Sequence, residues 1–296
     1  MKLVMTLLVR DEVDIVRENL EFHLARGVDH VIAIDNGSTD GTTEILEEYA
    51  RAGALTLLHE PSRDYLQAHW VNRMAFMARD AMGADWIINN DADEFWRPPS
   101  PPGRPGDLKA VLAGRRGSAL SCLRHNMMAP YRELDSKLWH EALVWRAARK
   151  LKLPRLRDPL KDPLRHPYFL YDLPPKVIVR ARDLVEVDKG CHAAAFDPPA
   201  EPEPCDVEIY HFPIRSRTKF EASVRHIAAA VARDGSLPPE TSWKYRRWGA
   251  MIAKDGHAHR AFAETLPSAT RTLAYRLCGY LERDDTLQDE LEALRT

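Results

Sequence analysis

Residues 87–96 read IINNDADEFW. An apolar run stops at Asn89 and Asn90, and Asp91, Asp93 and Glu94 then fall within four positions, just before Phe95 and Trp96. Like charges this close repel, and a desolvated carboxylate is costly unless a cation meets it. The segment is therefore either a solvated turn or a site that waits for a metal ion. In an extended stretch residues i and i+2 point the same way, so Asp91 and Asp93 project together from the strand end. Two hard oxygen donors with open positions suit Mg²⁺ or Mn²⁺ carrying a phosphate-bearing substrate. A lone Asp-x-Asp is weak, because such triplets occur by chance in many loops; its setting decides its weight.

The setting is a series of buried strands alternating with helices. Leu3–Val9 is continuously apolar, as in a strand covered on both faces. Its length, and the Arg10-Asp11-Glu12 that ends it, argue against a signal peptide. A helix is expected over about Asp11–Arg26, with Gly27 as its stop. HVIAIDNGSTDGT (30–42) then gives a second strand closing on a turn cluster. Gly37 and Gly41 permit tight turns there, and Asp40 or Thr42 can cap the next helix. Helix Thr42–Ala52, strand Leu55–His59, helix Gln67–Met82 and strand Trp86–Asn89 complete an α/β pattern, a mostly parallel sheet flanked by helices. Such sheets bind ligands at the carboxyl ends of their strands, where both polar clusters sit.

Beyond this the pattern loosens. RPPSPPGRPGD (97–107) reads as a loop, and strands are expected at Ala119–Leu123, Lys176–Val179 and Val207–Tyr210. Residues 129–175 read as an irregular insertion or a lid. After Ser216 the pattern is helical throughout. The predicted division is a domain over 1–215 and a helical region over 216–296. In the latter, Trp243, Tyr245 and Trp248 form either a packed aromatic stripe or a surface for an acceptor or a membrane.

Composition narrows the function. Of 296 residues 45% are hydrophobic and 29% charged, and the formal net charge of −2 argues against nucleic acid as a partner. One stretch differs: Arg146–Arg182 holds eleven Lys/Arg against three Asp, either a solvated basic face or one that meets an anionic ligand or membrane surface. The four cysteines are scattered, with no Cys-x-x-Cys pair, which fits a reducing cytoplasm. No run approaches the roughly 18 apolar residues of a membrane span.

Taken together, the opening strand with Arg10-Asp11-Glu12, GVDHVIAIDNGSTDGT and GADWIINNDADEFW resemble the GT-A glycosyltransferases, specifically the family-2-like group. The likeness covers about residues 1–100 and continues faintly through KVIVR (176–180), KGCHAAAF (189–196) and YHFPIRSRTKF (210–220). It implies a GT-A type Rossmann-like fold whose domain over 1–215 binds a nucleoside-diphosphate sugar, with 129–175 on the acceptor side. The acceptor would be a glycan, a lipid-linked glycan or a small molecule bearing a hydroxyl. By position, Val9 and Arg10 border the nucleotide, Asp35 lies near the base, and Asp91 and Asp93 form the metal-binding pair, with Asp91 nearer the ribose. A further metal ligand is expected from His211, with His192 as rival. Lys176 and Arg180 are candidates to share diphosphate charge. Inversion, which the resemblance implies, needs a base; Glu94, Asp188 and His192 contend for it. Asp11 stands where the family often has Asn.

Rival classes fit less well. A dinucleotide-binding domain wants a glycine-rich turn after its first strand, and LLVRDEVDIV has no glycine. A sugar-phosphate nucleotidyltransferase wants a glycine-rich basic loop at the same place. A non-catalytic nucleotide- or sugar-binding protein has no need of the Asp91–Asp93 pair.

Overall fold

The computed structural model of the protein describes residues 1–62, 66–101, 104–149, 151–188, 190–233, 237–238 and 241–295. Lys189 of the KGCHAAAF stretch and Pro102 and Gly103 of the Pro/Gly-rich loop lie outside them. In chain order the elements are β1 (Leu3–Val9), α1 (Val16–Leu24), β2 (His30–Asp35), α2 (Thr42–Arg51), β3 (Leu55–His59), α3 (Gln67–Asp80), β4 (Trp86–Asp91), β5 (Glu94–Arg97), α4 (Leu108–Leu112) and β6 (Ala119–Met128). They continue with α5 (Trp139–Ala142), β7 (Trp145–Ala147), β8 (Lys176–Arg180), β9 (Leu184–Val187), β10 (Ala194–Phe196) and β11 (Glu203–His211). Last come α6 (Arg217–Arg233), α7 (Trp243–Asp255), α8 (His259–Ala263), α9 (Ala269–Leu277), β12 (Leu281–Arg283) and α10 (Thr286–Leu294).

The chain divides into two compact units. One comprises Met1–Arg124, Pro174–His211 and Glu290–Thr296; the other comprises His125–Leu173 and Phe212–Asp289. These units interleave along the sequence, whereas the expected division fell at 215/216. Residues 129–173 fall with the C-terminal helices, not with the strands.

The first unit is the α/β one. β4, β1, β2 and β3 lie side by side and parallel, with Leu8 level with Asp91 and Val9 level with Asp35. β1 and the apolar stretch of β2 read as unbroken runs because both faces are covered. Trp70, Met74, Ala75 and Ala78 of α3 pack with Val4, Ile32, Ile34 and Ile87 in one buried cluster. Beyond β4 the direction changes: β8 is antiparallel to β4, the first half of β6 is antiparallel to β8, and β11 is antiparallel to β5, with His211 level with Glu94. The short strands β5, β9 and β10 lack the long apolar run that betrays a buried strand, and sequence reading missed them. Glu290 ties α10 to this unit through Arg26 at 2.6 Å and Arg97 at 2.7 Å. α1 begins at Val16, not Asp11, because Asp11 takes a left-handed backbone (φ 54°).

The second unit is built on aromatic packing. Trp248 is buried, with its ring 5.5 Å from Tyr168, 5.4 Å from Phe220 and 5.8 Å from Tyr245. Trp243 meets Tyr168 at 5.8 Å. The packed-stripe reading of these residues holds. The irregular segment is stitched to the helices by backbone bonds, Tyr168 N–H to Glu264 O at 2.7 Å and Tyr131 N–H to Pro267 O at 3.0 Å. The C-terminal region is not wholly helical: β12 pairs with β7. No helix among the described residues is long and apolar enough to cross a membrane.

Candidate functional site

The parallel register sets the site. Because Val9, Asp35 and Asp91 are the last residues of neighbouring parallel strands, with Val9 level with Asp35 and Leu8 level with Asp91, the loops that follow them share one edge of the sheet. Two of those loops lace together. Asp11 N–H donates to Ser38 Oγ at 2.9 Å, Thr39 N–H donates to the Asp11 carboxylate at 2.7 Å, and Glu12 N–H donates to Thr42 Oγ1 at 2.7 Å. Asp and Asn share a tolerance for left-handed backbone and an acceptor oxygen in the same place, so Asp11 serves where Asn is more usual. Arg10 donates from Nη1 to Asn36 O at 2.7 Å. Asp35 is buried, and its carboxylate accepts from Ser38 N–H, Ser38 Oγ–H and Thr43 Oγ1–H. Both of its oxygens are taken up in shaping the loop.

The crowded carboxylates are met first by a lysine. Lys176 Nζ lies 2.6 Å from Asp91 Oδ2 and 2.6 Å from Glu94 Oε2. The antiparallel pairing of β8 with β4, with Ile178 level with Ile88, brings the start of β8 toward the end of β4, which is why a lysine 85 positions away arrives there. Lys176 is 1% and Glu94 0% exposed, whereas Asp91 keeps 39%. Burial alone would push the ammonium toward neutrality, but Asp91 and then Glu94 outweigh it and hold its pKa well above the ordinary lysine value. Arg124 Nη1 adds a contact to Glu94 Oε1 at 3.2 Å. Cys191 is buried nearby, and desolvation pushes its thiol up to about 12, so it stays neutral. Asp93 is turned elsewhere: its Oδ2 lies 3.6 Å from His211 Nε2. Among the described residues no group of three or more His, Cys, Asp or Glu side chains is placed to hold a metal. Asp93 and His211 are the two that converge, with Asp91 drawn to the lysine.

The other expected residues divide. His192 is half-buried, and its Nδ1 lies 2.8 Å from Pro175 O, immediately before Lys176. A carbonyl only accepts, so Nδ1 carries the proton and Nε2 presents a lone pair. Burial lowers the His192 pKa against the pull of that carbonyl, and Arg124 and Lys176 lower it further. Gly190, with φ 87°, makes room for the ring: a Cβ there would stand 2.9 Å from His192 Cδ2 and Nε2. Asp188 is exposed, and its Oδ1 accepts from His192 N–H at 2.8 Å and Ala193 N–H at 2.9 Å. Arg180 is not brought here. It is level with Trp86 at the opposite end of β4, stacks over that ring at 4.3 Å and donates to Gly117 O and Arg115 O. Its expected place by the diphosphate is corrected to one at the far edge of the sheet.

A buried polar lattice that sequence reading missed holds the acidic turn. Asn19 Nδ2 donates to Ala92 O at 3.0 Å and Glu94 O at 2.8 Å, and Asn19 Oδ1 accepts from Asn90 Nδ2 at 2.9 Å. Trp96 Nε1–H donates to Asn90 Oδ1 at 2.9 Å, and Thr6 Oγ1 donates to Asn89 Oδ1 at 2.8 Å. The two asparagines that interrupt β4's apolar run were the available signal. His23 closes the lattice: Trp96 N–H donates to its Nε2 at 3.1 Å, so Nδ1 bears the proton and donates to Asn19 O at 2.7 Å.

Desolvation pushes His23 down to about 3, with Arg26 adding to the effect and Asn19 O opposing it. In the unfolded chain the imidazole binds a proton near pH 6.5, so between 6.5 and about 3 the unfolded state holds more protons than the folded one. Stability from this group is full above 6.5 and falls as pH falls, by about 1.4 kcal/mol per pH unit. Urea midpoints measured at pH 7 and pH 5 should show a steeper loss in wild type than in His23→Gln; equal slopes would remove His23 from the acid response.

A family model for glycosyltransferase family 92 matches residues 4–211, and the chain belongs to that family. It is a glycosyltransferase. Among solved structures, S. aureus TarS 1–349 is similar at 13% identity over 86% of this chain and 72% of that one, with a TM-score of 0.41. The same protein in complex with UDP gives 14% identity over 88% and 73%, with a TM-score of 0.40. Glucosyl-3-phosphoglycerate synthase from Mycobacterium tuberculosis, in complex with phosphoglyceric acid, gives 15% identity over 80% and 81%, with a TM-score of 0.35. A search of curated proteins returns no match.

Proposed function

We propose that this glycosyltransferase moves a sugar from a nucleoside-diphosphate donor to a hydroxyl acceptor with inversion, in the manner of the family-2-like enzymes. The observation that carries this is the single edge on which Val9, Asp35 and Asp91 end, with Asp93 and His211 converging beside it. Val9 and Arg10 border the nucleotide, and Asp35 shapes the loop beneath it. Asp93 and His211 suit Mg²⁺ or Mn²⁺, since these ions take one or two protein ligands and fill the rest of the shell with substrate oxygens and water. Such an ion supplies positive charge to the departing diphosphate. Lys176 lies between Asp91 and Glu94 and offsets the repulsion between them, so the turn keeps its shape before donor arrives.

His192 is the base. Its tautomer is set by Pro175 O, its Nε2 lone pair is available, and its lowered pKa keeps it neutral at neutral pH, the form that accepts a proton. Glu94 has no exposed surface and is gripped by Lys176 and Arg124, which suits a structural role.

The test is a thermal-shift panel of UDP, GDP, dTDP, CDP and ADP, each with and without Mn²⁺, on wild type and Asp93→Asn. A ligand at 100 times its Kd adds about 2.7 kcal/mol of stability. One nucleotide should stabilise wild type only with metal and leave Asp93→Asn unmoved. No shift from any nucleotide, or an equal shift in the variant, would overturn the site.

A further inference from the structure

The charge of the chain is unevenly divided. Residues 125–173 and 212–289, the second unit, hold 23 Lys/Arg against 15 Asp/Glu; the remaining residues hold 19 against 29. The near-neutral whole conceals one basic unit and one acidic one. Such asymmetry points to an anionic partner for the basic unit.

Within the second unit the positive charge gathers around α9. Arg271 and Arg276 are exposed on the helix itself. Arg271 Nη2 donates to Arg165 O at 2.8 Å, which sets the exposed Arg165 beside the helix. Arg149, also exposed, lies over the Tyr280 ring at 5.8 Å, and a Cβ on Gly279 would stand 3.8 Å from its Nε. Among the described residues none of these four arginines pairs with a carboxylate. The nearby acids are engaged elsewhere: Glu282 and Asp284 with Arg146, and Asp285 with Arg283. α9 itself carries no acidic residue.

The same helix exposes two large aliphatic side chains. Leu273 is 52% and Leu277 81% exposed, and four residues apart they share one face of the helix. Leucine in water is unremarkable singly, but an exposed pair on a helix whose exposed arginines meet no carboxylate among the described residues matches one class of partner best. A phosphate backbone would neutralise the arginines and leave the leucines wet. An anionic lipid surface takes both, with phosphates meeting guanidinium groups while the leucines enter the acyl boundary.

We propose that this face of α9, with Arg149, Arg165, Arg271 and Arg276 around Leu273 and Leu277, docks the chain on anionic lipid. The surface is independent of the transfer chemistry proposed above, and its test does not use activity. The full chain would be co-sedimented with phosphatidylcholine vesicles, with and without phosphatidylglycerol, at low and high salt. Wild type should pellet with the phosphatidylglycerol vesicles at low salt, remain in solution with phosphatidylcholine alone, and be released by salt. Leu273→Glu/Leu277→Glu should partition on the order of tenfold more weakly or worse, since inserted leucines carry much of the affinity. Leu277→Glu alone, at the more exposed position, repeats the comparison should the double variant melt early. Three results overturn the proposal: no pelleting of wild type, leucine variants that pellet like wild type, or vesicle-indifferent wild type that runs as a dimer and is made monomeric by the same substitutions.

Discussion

Lys176→Met is expected to destabilise the chain by about 3–5 kcal/mol, the range found when one partner of a buried ion pair is removed and the other charge is stranded. Methionine fills similar volume, so the loss reports charge more than packing. Glu94 has no exposed surface, and without the ammonium at 2.6 Å the cation that remains to meet it among the described residues is Arg124 at 3.2 Å. Asp91 loses less, being 39% exposed and partly screened by water. Glu94→Gln in the Lys176→Met background should therefore recover part of the loss, and a double-mutant cycle from urea midpoints would give the coupling. A loss below about 1 kcal/mol for Lys176→Met would mean that Arg124 suffices. The acidic turn would then not depend on the lysine.

This ion pair also marks how far the sequence could be read. Asp91, Asp93 and Glu94 were visible as an electrostatic problem, and a cation was the required answer. That the first cation is Lys176 depends on β8 being antiparallel to β4, a long-range fact that no local pattern carries. The same fact explains Arg180: in KVIVR only one end of the strand can lie by Asp91, and the antiparallel direction makes it the lysine end. β1, β2 and β4 were legible because strands covered on both faces write themselves largely as apolar runs. β5 was not, because its four residues sit in the acidic motif and read as part of it. The irregular 129–175 segment showed no period, and its allegiance to the C-terminal helices rests on bonds such as Tyr168 N–H to Glu264 O, made across about a hundred residues. Asn19 and His23 were hidden for a related reason: a polar residue on a helix reads as surface until the lattice that buries it is known.

The second large effect concerns the base. His192→Asn keeps a side-chain N–H near Pro175 O and removes the ring nitrogen that would take the acceptor's proton. Its turnover should fall by about 10²–10⁴-fold, the usual worth of a positioned base. The readout is nucleotide release from the donor identified in the thermal-shift panel, with donor Kd and melting temperature close to wild type. Wild-type kcat/KM should hold steady as pH falls through 6.5 and decline only below it, because the lowered His192 pKa keeps the ring neutral there; in His192→Asn that acid limb should vanish. Gly190→Ala tests position separately from chemistry. Its new Cβ would stand 2.9 Å from the ring and at φ 87°, so the imidazole or the turn must shift, and turnover should fall at least about tenfold with the histidine still present, since misplacement of this kind is costly. Asp188→Asn provides the contrast, as it retains an oxygen able to accept from His192 N–H and Ala193 N–H. A small loss there with a large loss in His192→Asn keeps the proton on the imidazole. The reverse pattern would assign it to Asp188, whose carboxylate would then be a reacting group as well as the brace of the turn that carries His192.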